Sequence, residues 1–191
     1  VSTAPAEKPR HHHGNLRHAL ITAGVEMLET GEAFSLRAVA RRVGVSQAAP
    51  YRHFASKQDL EAAMAADGFA ELQTALEAVV GEHGEGDTPL VELALTYIRF
   101  AEAHPALYAL MFGQELSTVD EVRVACAAVF ARIQEVAVAT HPQRDPHGLA
   151  TAGWALAHGL ATLHIDGTLG ANDDVDFDTR VRAAFAALLT D

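Results

Sequence analysis

Between Arg37 and Lys57 the chain collects side chains able to bind a polyanion and the base edges it carries: Arg37, Gln47, Ala48, Tyr51, Arg52, His53 and Lys57. A glutamine amide can pair bidentately with adenine, and an alanine methyl can touch a thymine methyl. Arg, Lys, Tyr and His side chains donate to phosphate oxygens. The order of these types assigns base reading to Gln47 and Ala48, and sugar–phosphate contact to the other five. A second group lies in the other half of the chain: Tyr97, Arg99, Tyr108, Met111, Phe130, Trp154 and His158. Aromatic residues at helical spacing build core more often than cavity, and both readings stay open. If a cavity exists, it is apolar, with Tyr97, Arg99 and His158 as polar anchors.

Chemistry of other kinds has little support. The sequence holds no H-E-x-x-H pattern, nucleophile elbow or glycine-rich phosphate loop. His158 and His164 are six positions apart, on nearly opposite faces of one helix, so with His104 and Asp166 they make a poor metal or hydrolytic group. No catalytic residue, cofactor or bound metal is expected.

The elements that must position the first group are two short helices. Ser35 to Leu60 reads SLRAVARRVGVSQAAPYRHFASKQDL. Ser35 can cap a helix carrying Leu36, Val39, Ala40 and Val43. Ala40 is small where a second helix would cross, and Gly44 can take the positive φ of a tight turn. Val39, Val43 and Val45 would clamp the pair. Ser46 then caps a third helix running to about Phe54, the arrangement of a helix-turn-helix. Its early side chains are short enough to enter a major groove. Pro50 forfeits the first intrahelical hydrogen bond there and pushes Ala49 toward an extended conformation. Ser56, with Asp59 three residues on, forms an approximate capping box for a fourth helix, whose first turn with Lys57 offers a phosphate site.

The net charge of −11 hides a division along the chain. Residues 1–60 hold eight Lys/Arg against five Asp/Glu, net +3, and the remainder holds six against twenty, net −14. Nucleic-acid contact is thus confined to the N-terminal part, because phosphate repels the rest. Hydrophobic residues make up 49%, a globular composition. No apolar run approaches the roughly 18 residues of a membrane span, and no secretory signal is recognisable. The single cysteine, Cys126, cannot form an internal disulfide, which makes the cytoplasm the expected compartment.

The whole chain reads as all-α, with roughly nine helices: an N-terminal three-helix helix-turn-helix DNA-binding domain and a larger C-terminal helical ligand-binding and dimerisation domain. Residues 1–14 are a flexible arm, 15–60 the DNA-binding domain and 61–191 the second domain. Asn15 caps the first helix, which Gly31 ends. The fourth helix runs to about Val80 and the Gly-rich break GEHGEGDTP. Further helices cover about Leu90–Ala103, the apolar ALYALMFG, Thr118–Thr140, Pro146–Leu169 and Asp178–Leu189, with GANDDVDFD before the last.

From Leu16 to Leu60 the string resembles the tetracycline-repressor (TetR) family of transcriptional regulators. The likeness rests on Phe34-Ser35-Leu36, Ala40, Gly44-Val45-Ser46, Tyr51, His53-Phe54, Lys57 and Leu60. HHHGNLRHAL resembles the entry segment of one subgroup, which sets His11–His13 beside the DNA backbone, with a metal site as the alternative. Pro50 departs from the Leu, Ile or Val common there. Trp154, His158 and Gly159 resemble the core of the C-terminal domain found in part of this family. The resemblance implies a homodimer on a pseudo-palindromic double-stranded operator, its last two helices forming a four-helix bundle across a two-fold axis. It also implies a repressor released by a small, largely apolar effector. Control by a protein partner, or by no small molecule, is the alternative.

Overall fold

The computed structural model describes residues 13–80, 89–169 and 175–190. They form eight α-helices and two 3-10 turns, and no strand occurs among them: α1 (His13–Glu29), α2 (Leu36–Val43), α3 (Lys57–Val80), α4 (Pro89–Ala103), α5 (Pro105–Met111), α6 (Asp120–Thr140), α7 (Pro146–Ile165) and α8 (Phe177–Leu189). Residues 1–12 of the arm expected over 1–14, and residues 81–88 and 170–174 of the two polar breaks, lie outside the described residues; residues 13 and 14, expected in the arm, instead begin α1. α1 begins before Asn15. No described helix is long and apolar enough to cross a membrane. The chain divides into two compact units between Met64 and Ala65, within α3.

In the first unit α2 turns one apolar face inward. Leu36, Val39 and Ala40 are buried while Arg37, Arg41 and Arg42 stay exposed. Ser35 Oγ accepts from Ala38 N–H at 3.1 Å, the expected cap. Gly44, at φ 78°, ends the helix in a Schellman arrangement, Gly44 N–H donating to Arg41 O and Val45 N–H to Ala40 O. Val39 and Ala40 are fully enclosed; Val43 and Val45 are half-buried and only edge the core. Leu20, Met27, Phe54, Leu60 and Met64 complete that core. α1 and α3 approach closely because a side chain at Gly24 would meet the Met64 sulfur at 2.8 Å. Arg42 ties α2 back to α1, reaching Glu26 at 3.3 Å and Glu32 at 2.8 Å.

In the second unit α4 lies against α6, α7 and α8, and α7 also packs on α6 and α8. α4 is apolar on most of its surface, burying Leu93, Leu95, Tyr97, Ile98 and Ala101. His104–Pro105 stops it and starts α5 with proline at the first helical position, where no N–H is missed. Asp145 caps α7 by accepting from Gly148 N–H at 2.7 Å, and Asp176 caps α8 through the N–H groups of Asp178 and Thr179.

Candidate nucleic-acid interface and ligand cavity

The third helix expected over Ser46–Phe54 is a correction. Only Pro50–Arg52 is helical there, as a 3-10 turn, preceded by a hydrogen-bonded turn over Ser46–Ala49. Pro50 has no N–H for the Ser46 carbonyl, which accepts from Ala49 N–H at 2.9 Å instead, three residues on rather than four. The segment therefore winds tightly before its last turn widens, where Phe54 N–H reaches Pro50 O at 3.0 Å. Ala49 is a second correction: it holds an α conformation (φ −62°, ψ −42°), not an extended one. Burial of Pro50 in the small core supplies the packing that offsets the steric cost of that conformation.

The side chains assigned to DNA remain on the outside. Gln47, Ala48, Tyr51 and Arg52 are exposed, His53 is half-buried, and Phe54 behind them is enclosed. Arg37, Tyr51 and Lys57 rim one shallow depression, floored by Ser35, Leu36 and Ser56. It joins the start of α2 to the start of α3, so two helix N-termini and two cations border it. The capping box is complete although its acid is one carbon short. Asp59 Oδ2 accepts from Ala55 N–H at 2.9 Å and Ser56 N–H at 3.1 Å, and Ser56 Oγ accepts from Asp59 N–H at 3.1 Å. Lys57 is held more firmly than its place in the sequence suggests. Its Nζ lies 2.6 Å from Glu61 Oε1 and 5.2 Å from the centre of the Phe34 ring.

In the second unit Tyr97, Tyr108 and His158 meet. The Tyr97 hydroxyl donates to the Tyr108 hydroxyl at 3.2 Å, and both hydroxyls lie within 2.8 Å of His158 Nδ1. Burial holds the His158 imidazole below its usual pKa and pushes both tyrosines up, Tyr97 further through its tyrosine neighbour. All three are neutral near pH 7, and each satisfies another's polar atom. The core reading of His158 accounts for this geometry. Phe112 stands between this group and an open cavity of about 410 Å³. Its ring is 4.7 Å from that of His158 and 6.3 Å from that of Trp154.

The cavity is walled by Phe69 of α3, Met111 of α5, Phe112, Phe130 of α6 and Trp154 of α7, with Arg123 and Cys126 also on it. Trp154 Nε1 is buried without a hydrogen bond of regular geometry, and its N–H acts only as a weak donor toward the Tyr97 hydroxyl. Burial raises the Cys126 thiol, so it is no thiolate nucleophile. Met111, Phe130 and Trp154 thus lie together, while Tyr97, Tyr108 and His158 form the neighbouring group. Arg99 belongs to neither: it is exposed and paired with Asp178 at 2.7 Å. Phe69 and Phe112, two further aromatics open to either the core or the cavity reading, fall on the wall, and Arg123 is the lining residue that the aromatic spacing does not point to. Arg123, Ala127 and Phe130 recur at helical spacing, a stripe that the sequence carries but that polar Arg123 disguises. Among the described residues no group of three His, Cys, Asp or Glu is arranged to hold a metal.

An all-helical chain with a helix-turn-helix unit and a second helical unit enclosing an apolar cavity has the build of a DNA-binding regulator. The family model for bacterial regulatory proteins of the tetR family matches residues 20–64, and that for the tetracyclin repressor-like C-terminal domain matches residues 90–190. The chain belongs to the TetR family and is a DNA-binding transcriptional regulator, not an enzyme. It is similar to a Rhodococcus sp. RHA1 protein of unknown function, 33% identical, with 94% of this chain and 96% of that one superposing at a TM-score of 0.82. The nucleoid occlusion factor SlmA of Marinobacter nauticus is 28% identical, the match spanning 62% of each chain. The fold is shared with the regulator FadR of Bacillus subtilis, whose structure holds stearoyl-CoA; at 11% identity the TM-score is 0.71 over 91% of this chain and 97% of FadR.

Proposed function

We propose that the chain is a repressor that binds a pseudo-palindromic operator as a homodimer in the cytoplasm and releases it when a small, largely apolar ligand enters the second unit. The observation that carries this reading is the aromatic cavity of about 410 Å³, within the size range of small-molecule sites. Met111, Phe130 and Trp154 are its ligand contacts, with Phe69 and Phe112. The Trp154 N–H, which makes no regular hydrogen bond within the chain, is a donor for one polar atom of the ligand.

α3 supplies the coupling. The same helix carries Lys57 at the DNA-facing depression and Phe69 on the cavity wall. A ligand that displaces Phe69 biases the helix that sets the reading segment, and a coupling of about 1–3 kcal/mol shifts operator occupancy several-fold or more. Arg37, Tyr51, Arg52, His53 and Lys57 hold the phosphates while Gln47 and Ala48 read bases.

Dimerisation uses the outer faces of α7 and α8. Ala155, Thr162 and Leu163 are exposed on α7 and small residues Ala183, Ala186 and Ala187 line α8, surfaces that let helices approach closely. The test is a gel shift on the DNA upstream of the chain's own gene, repeated with apolar metabolites and drugs. Release by at least one compound is expected, and unchanged retention across a broad panel would sink the ligand reading. The likeness to SlmA favours a second reading, control by a protein partner. Retention without any small-molecule response, with release by a purified partner, would establish it.

A further inference from the structure

Resting on the proposed ligand site, we infer that the cavity's occupant is amphipathic with one anionic end: an aromatic or other apolar body seated among Phe69, Phe112, Phe130 and Trp154, and a carboxylate- or sulfonate-like group held by Arg123. The walls are apolar, and among the described lining residues Arg123 carries the one formal charge. No carboxylate lines the cavity, so its aromatic rings do not make a cage for a cation, which Arg123 would repel.

Arg123 lies on the α6 stripe that continues through Cys126 and Ala127 to Phe130, on the same cavity wall. It is exposed, so an anion there keeps contact with water while the body is buried. Its present partner is Asp120, one turn earlier, which takes a single terminal nitrogen at 2.9 Å. Exposed pairs of this spacing are weak, and the guanidinium fork has five donors, so a ligand anion can compete or share. Asp120 then acts as an internal competitor for the ligand's charge.

Two probes with one scaffold isolate that charge: N-phenyl-1-naphthylamine, which is neutral, and 1-anilinonaphthalene-8-sulfonate, which adds a sulfonate. Trp154 is the single tryptophan of the chain, so its emission reports on cavity occupancy. In titrations of the full chain, both probes are expected to quench Trp154 at one site per chain. Arg123→Gln should weaken the sulfonate probe by roughly threefold to tenfold, the range for losing one partly exposed hydrogen bond of ordinary net strength. Asp120→Asn should tighten it, and the neutral probe should be unmoved by either change. If both probes bind and Arg123→Gln alters neither, or weakens both equally, the anionic-end inference is overturned while the ligand site stands. If neither probe quenches Trp154, the ligand site itself fails.

Discussion

The Lys57 ammonium lies 2.6 Å from the Glu61 carboxylate, so the cation placed to hold a phosphate is already engaged within its own helix. Lys57 remains about half exposed, at 52%, whereas Glu61 is only 18% exposed. A phosphate bound there would have to draw Lys57 from, or share it with, a carboxylate that is itself largely covered. Glu61→Gln should strengthen DNA binding across all sequences, and Lys57→Ala should weaken it. The slope of log affinity against log salt should fall by about one per Lys57, and so by about two for the dimer, in Lys57→Ala. An unchanged slope would mean that Lys57 serves Glu61 and not the backbone.

Pro50 dictates the shape of the reading segment. Pro50→Leu returns an N–H that can reach the Ser46 carbonyl and permits a regular helix from Ser46 onward. Hydrogen exchange should then show a protected amide at residue 50. Operator preference should change while non-specific affinity, set by phosphate contacts, moves by no more than about twofold. Unaltered preference would show that the 3-10 geometry is incidental to base reading by Gln47.

His158 makes stability depend on pH with a definite sign. Its pKa is depressed in the folded chain by burial, so unfolding lets the imidazole take up a proton in mild acid. Its stability contribution is complete above the unfolded value of about 6.5, and is lost as pH falls through that value toward the folded one. His158→Gln should lose less stability than the parent between pH 7.5 and pH 5.5, read as urea midpoints. Equal losses would trace the acid sensitivity to other groups.

Gly159 tests the proposed dimer face. Among the described residues no atom outside its own stretch of helix lies within 4 Å of where its side chain would begin, so a large residue finds room there. Gly159→Phe should convert the dimer to monomer at micromolar concentration by light scattering and leave the helical content intact. A variant that stays dimeric would exclude this face of α7 from the interface.

Much of this molecule was legible residue by residue. The Ser35 cap, the Gly44 turn, the Ser56–Asp59 box, the end of α4 and the start of α7 follow from local backbone chemistry, which acts over four or five residues and is written there directly; α7 itself stops at Ile165, four residues before the expected Leu169. The reading segment differs from the helix that the Ser46 cap predicts, and the reason is Pro50. Its missing N–H instead limits regular helix to a 3-10 turn, and its burial holds Ala49 in a conformation that local sterics disfavour.

The sequence alone determined that the chain is helical, where the residues proposed to read DNA fall, and that net positive charge is confined to the first sixty residues. Those properties depend on near neighbours and on totals. Tertiary structure decided which cations are engaged and which aromatics face space. Lys57 met Glu61 and Arg99 met Asp178, while Phe112 came to separate the Tyr97–Tyr108–His158 group from the cavity. Whether an aromatic ring is core or cavity wall depends on what lies opposite it, and residues 50 and 61 positions apart supply that for His158.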